Sequence, residues 1–350
     1  MNNLLKIIVI GVGGGGSNMV NYLLDNFYSP HISYYIANTD KQVLVEKENL
    51  GIIQLGENIS KGLGAGMNPE VGLISAKSNE EELLGIFHEA DLVFISVGMG
   101  GGTGTGAAPY IASLARDSGA LTIGVSTLPF KFEGRKRTKI AEKGLENLKN
   151  SCDSLIIIEN ENLLSLIDKK AGIKSSFKLV DSILSEAVIG TSGVILSTGS
   201  NDINLDFADL KTILSHEGLA LMGIGYSGKS AEDANEEALK SPLLKNLSID
   251  NSKGVIVHFE CHPDYSFIDL SMSLEIVHEK VSEEADIIFG TTTNSELEEN
   301  ELKVTIIATG IKNEEEKEET KESKNIIRMP RLNLDLDKNN LETPSYLRYA

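Results

Sequence analysis

Gly98-Met99-Gly100-Gly101-Gly102-Thr103-Gly104-Thr105-Gly106 follows an apolar run at residues 92–97 and leads into a helical pattern from Ala107. Few turns need so many glycines. Glycine permits positive φ and lets bare backbone approach a ligand closely, while Thr103 and Thr105 add hydroxyl donors. A second loop of this kind, Gly11-Val12-Gly13-Gly14-Gly15-Gly16-Ser17-Asn18, joins the run at 4–10 to another helical pattern. In both, backbone N–H groups and a helix dipole can meet phosphate, and two such loops imply two sides of one polyphosphate. Neither contains lysine and the pattern GxxxxGK[ST] occurs nowhere in the chain, which excludes a P-loop. Backbone N–H groups, helix N-termini and a Mg²⁺ ion bridging the phosphates are the remaining ways to neutralise the charge. The first loop also satisfies GxGxxG, with Asp40 after the next run, so an NAD-dependent Rossmann dehydrogenase is a rival reading. That rival leaves the second loop unexplained.

Outward from the loops, short apolar runs at 34–37, 121–126 and 155–158 join those at 4–10 and 92–97 as strands of a buried parallel sheet. Met19, Val20, Leu23 and Leu24 share one helical face, as do Ala108, Ile111, Ala112 and Ala115, with Pro109 expected in a first turn. Strand and helix alternate, which predicts an α/β domain with crossover helices. From Phe177 the positions Val180, Ile183, Leu184, Ala187 and Val188 form one long stripe, a buried helix expected to join two domains. Strands at 220–226, 254–259, 286–289 and 302–308, with helices near 231–240 and 271–281, predict a smaller α+β domain.

Composition sets the outer limits. At 350 residues, 41% hydrophobic and 24% charged, the chain is long enough for two cores. A net charge of -19 argues against a sequence-independent nucleic-acid binder. Cys152 and Cys261 are the only cysteines; they form no disulfide framework or zinc pattern, and the adjacent Cys261 and His262 read as structural. A cytoplasmic protein is expected, without direct membrane insertion, since no apolar run approaches the ~20 residues a span requires. Residues 313–324, nearly all Glu, Lys, Ser and Thr, read as a disordered linker. The expected organisation is a nucleotide domain at 1–175, the connecting helix at 176–199, the α+β domain at 200–312, an acidic linker at 313–340 and a partner-docking peptide at 341–350.

The string at 100–106 resembles the tubulin signature, and its neighbours resemble the FtsZ branch of that family. The resemblance runs in order from residue 4 to about 311 and includes Asn38-Thr39-Asp40, the GLGAGMNPE string at 62–70, Pro129-Phe130 with Phe132-Glu133-Gly134, and Asn204-Leu205-Asp206-Phe207-Ala208-Asp209. It implies a tubulin/FtsZ-like fold: a Rossmann-like parallel-sheet GTPase domain joined by the long helix to the α+β domain. It also implies a GTPase that binds GTP and GDP with Mg²⁺ and polymerises head to tail, in bacterial division, at the mid-cell ring. Gly14, Gly15, Gly16, Ser17 and Asn18, with Gly101, Gly102, Thr103, Gly104 and Thr105, match the family's phosphate loops. Glu133 and Arg137 match its ribose and nucleotide contacts, though their i, i+4 spacing equally describes a surface ion pair. Asn160, Phe177 and Asp181 match its purine contacts, and a carboxylate at Asp181 would accept from guanine N1–H and its exocyclic amine. Asn204, Asp206 and Asp209 match residues that act on the adjacent subunit's nucleotide. On residue types alone, Asp206 as a helix N-cap with Asp209 beside the dipole is an equal reading. Residues 341–348 resemble a docking peptide for membrane anchors and division regulators. Ser17, Leu128, Lys131 and the segment at 259–265 depart from the family pattern. A scaffold of this family without turnover is the second alternative.

Overall fold

The computed structural model describes residues 5–164, 166–167, 170–196, 203, 207–216, 219–241 and 249–311. The expected linker and terminal peptide, and the candidate residues Asn204 and Asp206, lie outside them. The first half runs β1 (Ile7–Val12), α1 (Gly13–Asn26), β2 (Ile32–Asn38), β3 (Leu50–Gln54), α2 (Glu57–Ser60), α3 (Pro69–Ser78), α4 (Glu80–Phe87), β4 (Leu92–Gly98), α5 (Thr103–Asp117), β5 (Leu121–Leu128), α6 (Arg135–Lys149), β6 (Ser154–Glu159) and α7 (Asn160–Leu163). It continues with α8 (Ile173–Leu196), α9 (Phe207–Leu214), β7 (Leu219–Ser227), α10 (Ala231–Leu239), β8 (Gly254–Cys261), α11 (Phe267–Lys280), β9 (Asp286–Thr293) and β10 (Leu302–Ile311).

The strands form one sheet in the order β3-β2-β1-β4-β5-β6-β7-β10-β8-β9. From β3 to β6 every pairing is parallel, and β10 runs antiparallel to both β7 and β8. The expected parallel sheet and the second, mixed set of strands are therefore joined edge to edge. The seam is short: β6 and β7 pair only through Leu155↔Leu219 and Ile156↔Ala220.

Alternation within β1 shows why its residues are nearly all apolar. Ile7 and Val9 enter one core with α1 and α8, while Ile8 and Ile10 enter another with α4 and α5. A strand covered on both faces has no side that favours polar residues. The stripe on α8 is buried as its period requires, and the core it enters reaches from Val9 to Ile256 of β8 and Ile307 of β10. α8 thus clamps both parts of the sheet from one face. A third core lies under α10 and α11.

Several boundaries differ from expectation. α5 begins at Thr103 rather than Ala107, so Pro109 sits in its interior instead of its first turn. The missing N–H then leaves the Thr105 carbonyl without its helical partner. α11 starts at Phe267 because Ser266 caps it, accepting from Asp269 N–H. β3 and α2–α4 had no counterpart in the apolar pattern.

Candidate nucleotide site

β1 and β4 lie side by side, in parallel register from Ile7↔Leu92 to Val12↔Val97. Both glycine loops therefore leave the sheet at the same edge. From this pair the chain winds away to β2 and β3 on one side and to β5 and β6 on the other. Such a switch point opens a crevice beyond the strand ends, where ligands of α/β proteins sit.

Each loop is the first turn of a helix. α1 starts at Gly13 and α5 at Thr103, and neither has a side-chain cap or an acid in its first turn. α3, α10 and α11, by contrast, are capped by Asn68, Ser230 and Ser266. The N–H groups and positive dipole ends of α1 and α5 are thus left available.

The glycines divide into two kinds. A methyl group on Gly16 would collide with Ser96 O and one on Gly11 with Gly16 O, while on Gly13 it would lie 2.8 Å from Gly104 N. These positions let the first loop press onto β4 and the second loop. Around Gly14 and Gly101 a Cβ would meet nothing within 4 Å. There the loops face open space, a cradle that side chains would begin to fill.

The second loop is braced from three directions. Thr103 Oγ1 and Thr39 Oγ1 are 2.6 Å apart in a buried hydroxyl pair. Thr105 Oγ1 accepts from Gly100 N–H at 2.9 Å. Arg137 lies against Gly100, whose φ of +93° suits glycine and where an added Cβ would come within 2.6 Å of Arg137 Cγ.

Arg137 is itself held by Glu133, Nη1 to Oε2, at 2.9 Å. Glu133 is not in α6 but in the 3-10 turn Lys131–Glu133, and its other oxygen accepts from Phe130 N–H at 2.8 Å. The pair is therefore a turn anchor and not only a surface i, i+4 contact. Arg137 Nε is buried without a partner.

Phe130 carries the site onward: it is buried, stacks on Phe132 at 5.0 Å and meets Phe177 of α8 edge-on at 5.9 Å. Lys131 N–H donates to Glu161 of α7, next to Asn160, which is buried with an unpartnered Oδ1. Asp181 lies one helical turn beyond Phe177 on the same face of α8. Burial raises its carboxyl from 3.8 to about 6, and no described residue bonds to its carboxylate. Ser17 also has a buried hydroxyl without a partner.

The structure thus gathers both loops, Glu133 and Arg137, and through Phe130 the α8 residues, at one edge of the sheet. Thr39 and Phe130 complete this scaffold although sequence reading gave them no role; both fall inside the strings that carry the resemblance. Asp40 accepts from Gln42 N–H at 2.9 Å and caps a 3-10 turn, an ordinary use that the dehydrogenase reading did not anticipate.

Asp209 lies elsewhere. It is exposed in the first turn of α9, whose Ile213 carbonyl accepts from Thr309 Oγ1 at 2.7 Å. Thr309 lies in β10 two residues before Ile311, which pairs with Leu219 at the start of β7, itself opposite Leu155 near the start of β6. α9 is therefore at the edge where the parallel strands begin, and the glycine loops are where they end. A strand of seven residues such as β4 spans ~23 Å.

Two uncapped helix N-termini at a switch point, with no P-loop lysine, define an α/β protein built to hold a nucleotide polyphosphate. Residues 6–168 match the GTPase domain of the Tubulin/FtsZ family, and residues 218–312 match the C-terminal domain of the FtsZ family. An empty FtsZ dimer from M. jannaschii superposes with a TM-score of 0.80 at 38% identity, covering 88% of this chain and 89% of that one. CetZ2 from Haloferax volcanii, solved as a GTPγS-bound protofilament, gives 0.74 at 19% identity, over 91% and 97% of the two chains. The chain belongs to the Tubulin/FtsZ family. It is a GTPase, and its nucleotide is GTP or GDP, which removes the dehydrogenase reading. Among the described residues no helix is long and apolar enough to cross a membrane.

Proposed function

We propose that this chain is a polymerising cytoskeletal GTPase of bacterial-type cell division, cytoplasmic and assembled at the mid-cell ring, that hydrolyses GTP between head-to-tail subunits. The observation that carries this reading is the separation of Asp209 from the glycine loops of its own chain by the length of the parallel strands. A head-to-tail contact brings the starting edge of one sheet to the loop edge of the next, and such heterologous contacts repeat into filaments.

Within one subunit, residues 14–18 and 101–105 hold the phosphates through the free N–H groups of the first helical turns and the side chains of Ser17 and Asn18, with Gly14 and Gly101 supplying the open faces. Glu133 and Arg137 position the ribose and nucleotide, Phe177 packs on the purine, and Asn160 and Asp181 bond to its edge. The unpartnered Ser17 Oγ, Asn160 Oδ1 and Arg137 Nε fit a polar ligand there. Mg²⁺ would fit this site through phosphate and water oxygens, since it keeps several waters and takes its remaining oxygens from substrate phosphates. When bound, it supplies charge neutralisation at the β- and γ-phosphates.

Asp209 of the next subunit, together with Asn204 and Asp206, orients and polarises the attacking water, while the loop N–H groups stabilise charge on the transferring phosphoryl group. Residues 341–350 dock on membrane anchors and division regulators. Phosphate release and light scattering, followed together across a protein concentration series with GTP, ATP or GTP plus excess NAD, test the reading. GTP-selective release that switches on with scattering is expected. A rate per subunit independent of concentration would sink the shared site, and scattering without release would leave a scaffold.

A further inference from the structure

Between α3 and α6, with α5 as its floor, runs a groove of about 930 Å³. It shares Thr105 with the second glycine loop but includes none of residues 14–18 or 101–104, so it adjoins the nucleotide cradle from outside. Four lysines line it, Lys77 from α3 and Lys136, Lys139 and Lys143 from α6, against a single carboxylate, Glu70. In a chain of net charge -19 this is a local reversal of sign.

Lys136, Lys139 and Lys143 are exposed, and among the described residues none of them forms an ion pair. Lys77 instead rests over the Tyr110 ring, 5.7 Å from its centroid. The groove between these charges is apolar at Leu73, Pro109 and Ile140, and carries amides at Asn147 and Asn150.

The α6 lysines stand three and four residues apart, rises of about 4.5 and 6 Å along one helix face. An extended peptide places alternate side chains on one face about 6.6 Å apart. Three alternate carboxylates span about 13 Å against about 10.5 Å for the row, a difference that the long lysine side chains take up, with amides available to the peptide backbone and an apolar slot below.

We propose that this groove docks an extended acidic peptide of a partner protein, with Glu or Asp at alternate positions along α6 and an apolar side chain between Leu73 and Ile140. A bare polyanion is the poorer fit. It would bury the apolar floor against charge, and a long one would run from the groove onto a strongly acidic molecule.

The test uses the full chain and a fluorescein-labelled ten-residue peptide with Glu at alternate positions and one central Leu, read by anisotropy. Saturable binding is expected at low salt, reduced at least tenfold for the Lys139→Glu/Lys143→Glu variant and for a peptide with Gln in place of Glu. The milder Lys139→Gln/Lys143→Gln variant should weaken binding by a smaller factor with an unchanged melting temperature, which separates lost docking from lost folding. Unchanged affinity in the charge-reversed variant, or no binding by the parent chain, would overturn the proposal. So would tripolyphosphate or a ten-nucleotide DNA displacing the peptide more strongly than unlabelled peptide does, which would leave only a general anion patch. A charge reversal that alters self-association while peptide binding stays the same would make the groove a contact between copies of this chain, and the proposal would fall.

Discussion

Asp181 carries opposite consequences for folding and for binding. Its carboxyl is raised from 3.8 to about 6 by burial alone. The folded state then holds a proton that the unfolded state releases, so ionising this group costs stability above pH ~6, and the cost vanishes below pH ~4. Asp181→Asn should therefore stabilise the nucleotide-free protein at pH 7.5, by at most on the order of 3 kcal/mol, seen as a raised melting temperature, and bring no gain at pH 4. On the proposed role the same change should exchange GTP for xanthosine triphosphate, whose C2 carbonyl accepts where guanine donates. GTP affinity of the parent chain should also fall as pH drops below about 6, measurable by calorimetry. Glu133 and Arg137 show a second asymmetry at this scale. Glu133 also binds Phe130 N–H, so Glu133→Ala should cost about 2 kcal/mol and Arg137→Ala about 1, read from denaturant midpoints.

At the scale of the element, the loop glycines separate packing from binding. Gly16→Ala drives a methyl into β4 and should prevent stable folding, whereas Gly101→Ala meets open space and should leave the melting temperature within about 2 °C. The same Gly101→Ala change should weaken GTP at least tenfold, since the methyl occupies the proposed phosphate cradle. Equal GTP affinity in Gly101→Ala and the parent would remove Gly101 from the site. This division could not be read from the sequence, where every glycine in the two loops looks alike. The central strands were legible because both faces are buried and the runs are unbroken. β3 was not, being an edge strand in which only Ile53 is fully buried. α3 was hidden for a different reason: its buried face is Gly72, Ser75 and Ala76, small residues that let α5 approach, and apolar periodicity does not register them. The proposed purine contacts were reached through residue strings, yet Phe130, which ties Phe177 to the turn, became visible only as packing.

At the scale of the molecule, the sheet itself keeps the proposed catalytic acid away from the phosphate loops. On the proposed reading, loops at one edge and α9 at the other make a chain that can fill its cradle but cannot finish it. That geometry permits a test in which two inactive proteins are mixed. Asp209→Asn retains both loops, and Gly101→Ala retains the acid at an unaltered α9. Each alone should show little phosphate release: one lacks the incoming acid at every contact, the other holds nucleotide poorly. In a 1:1 mixture assembled at random, about a quarter of head-to-tail contacts pair intact loops with an intact Asp209. Phosphate release should then recover to roughly that share of the parent rate when the mixture assembles as well as the parent. A site contained within one subunit gives no recovery at any ratio, because no subunit of either kind holds both parts.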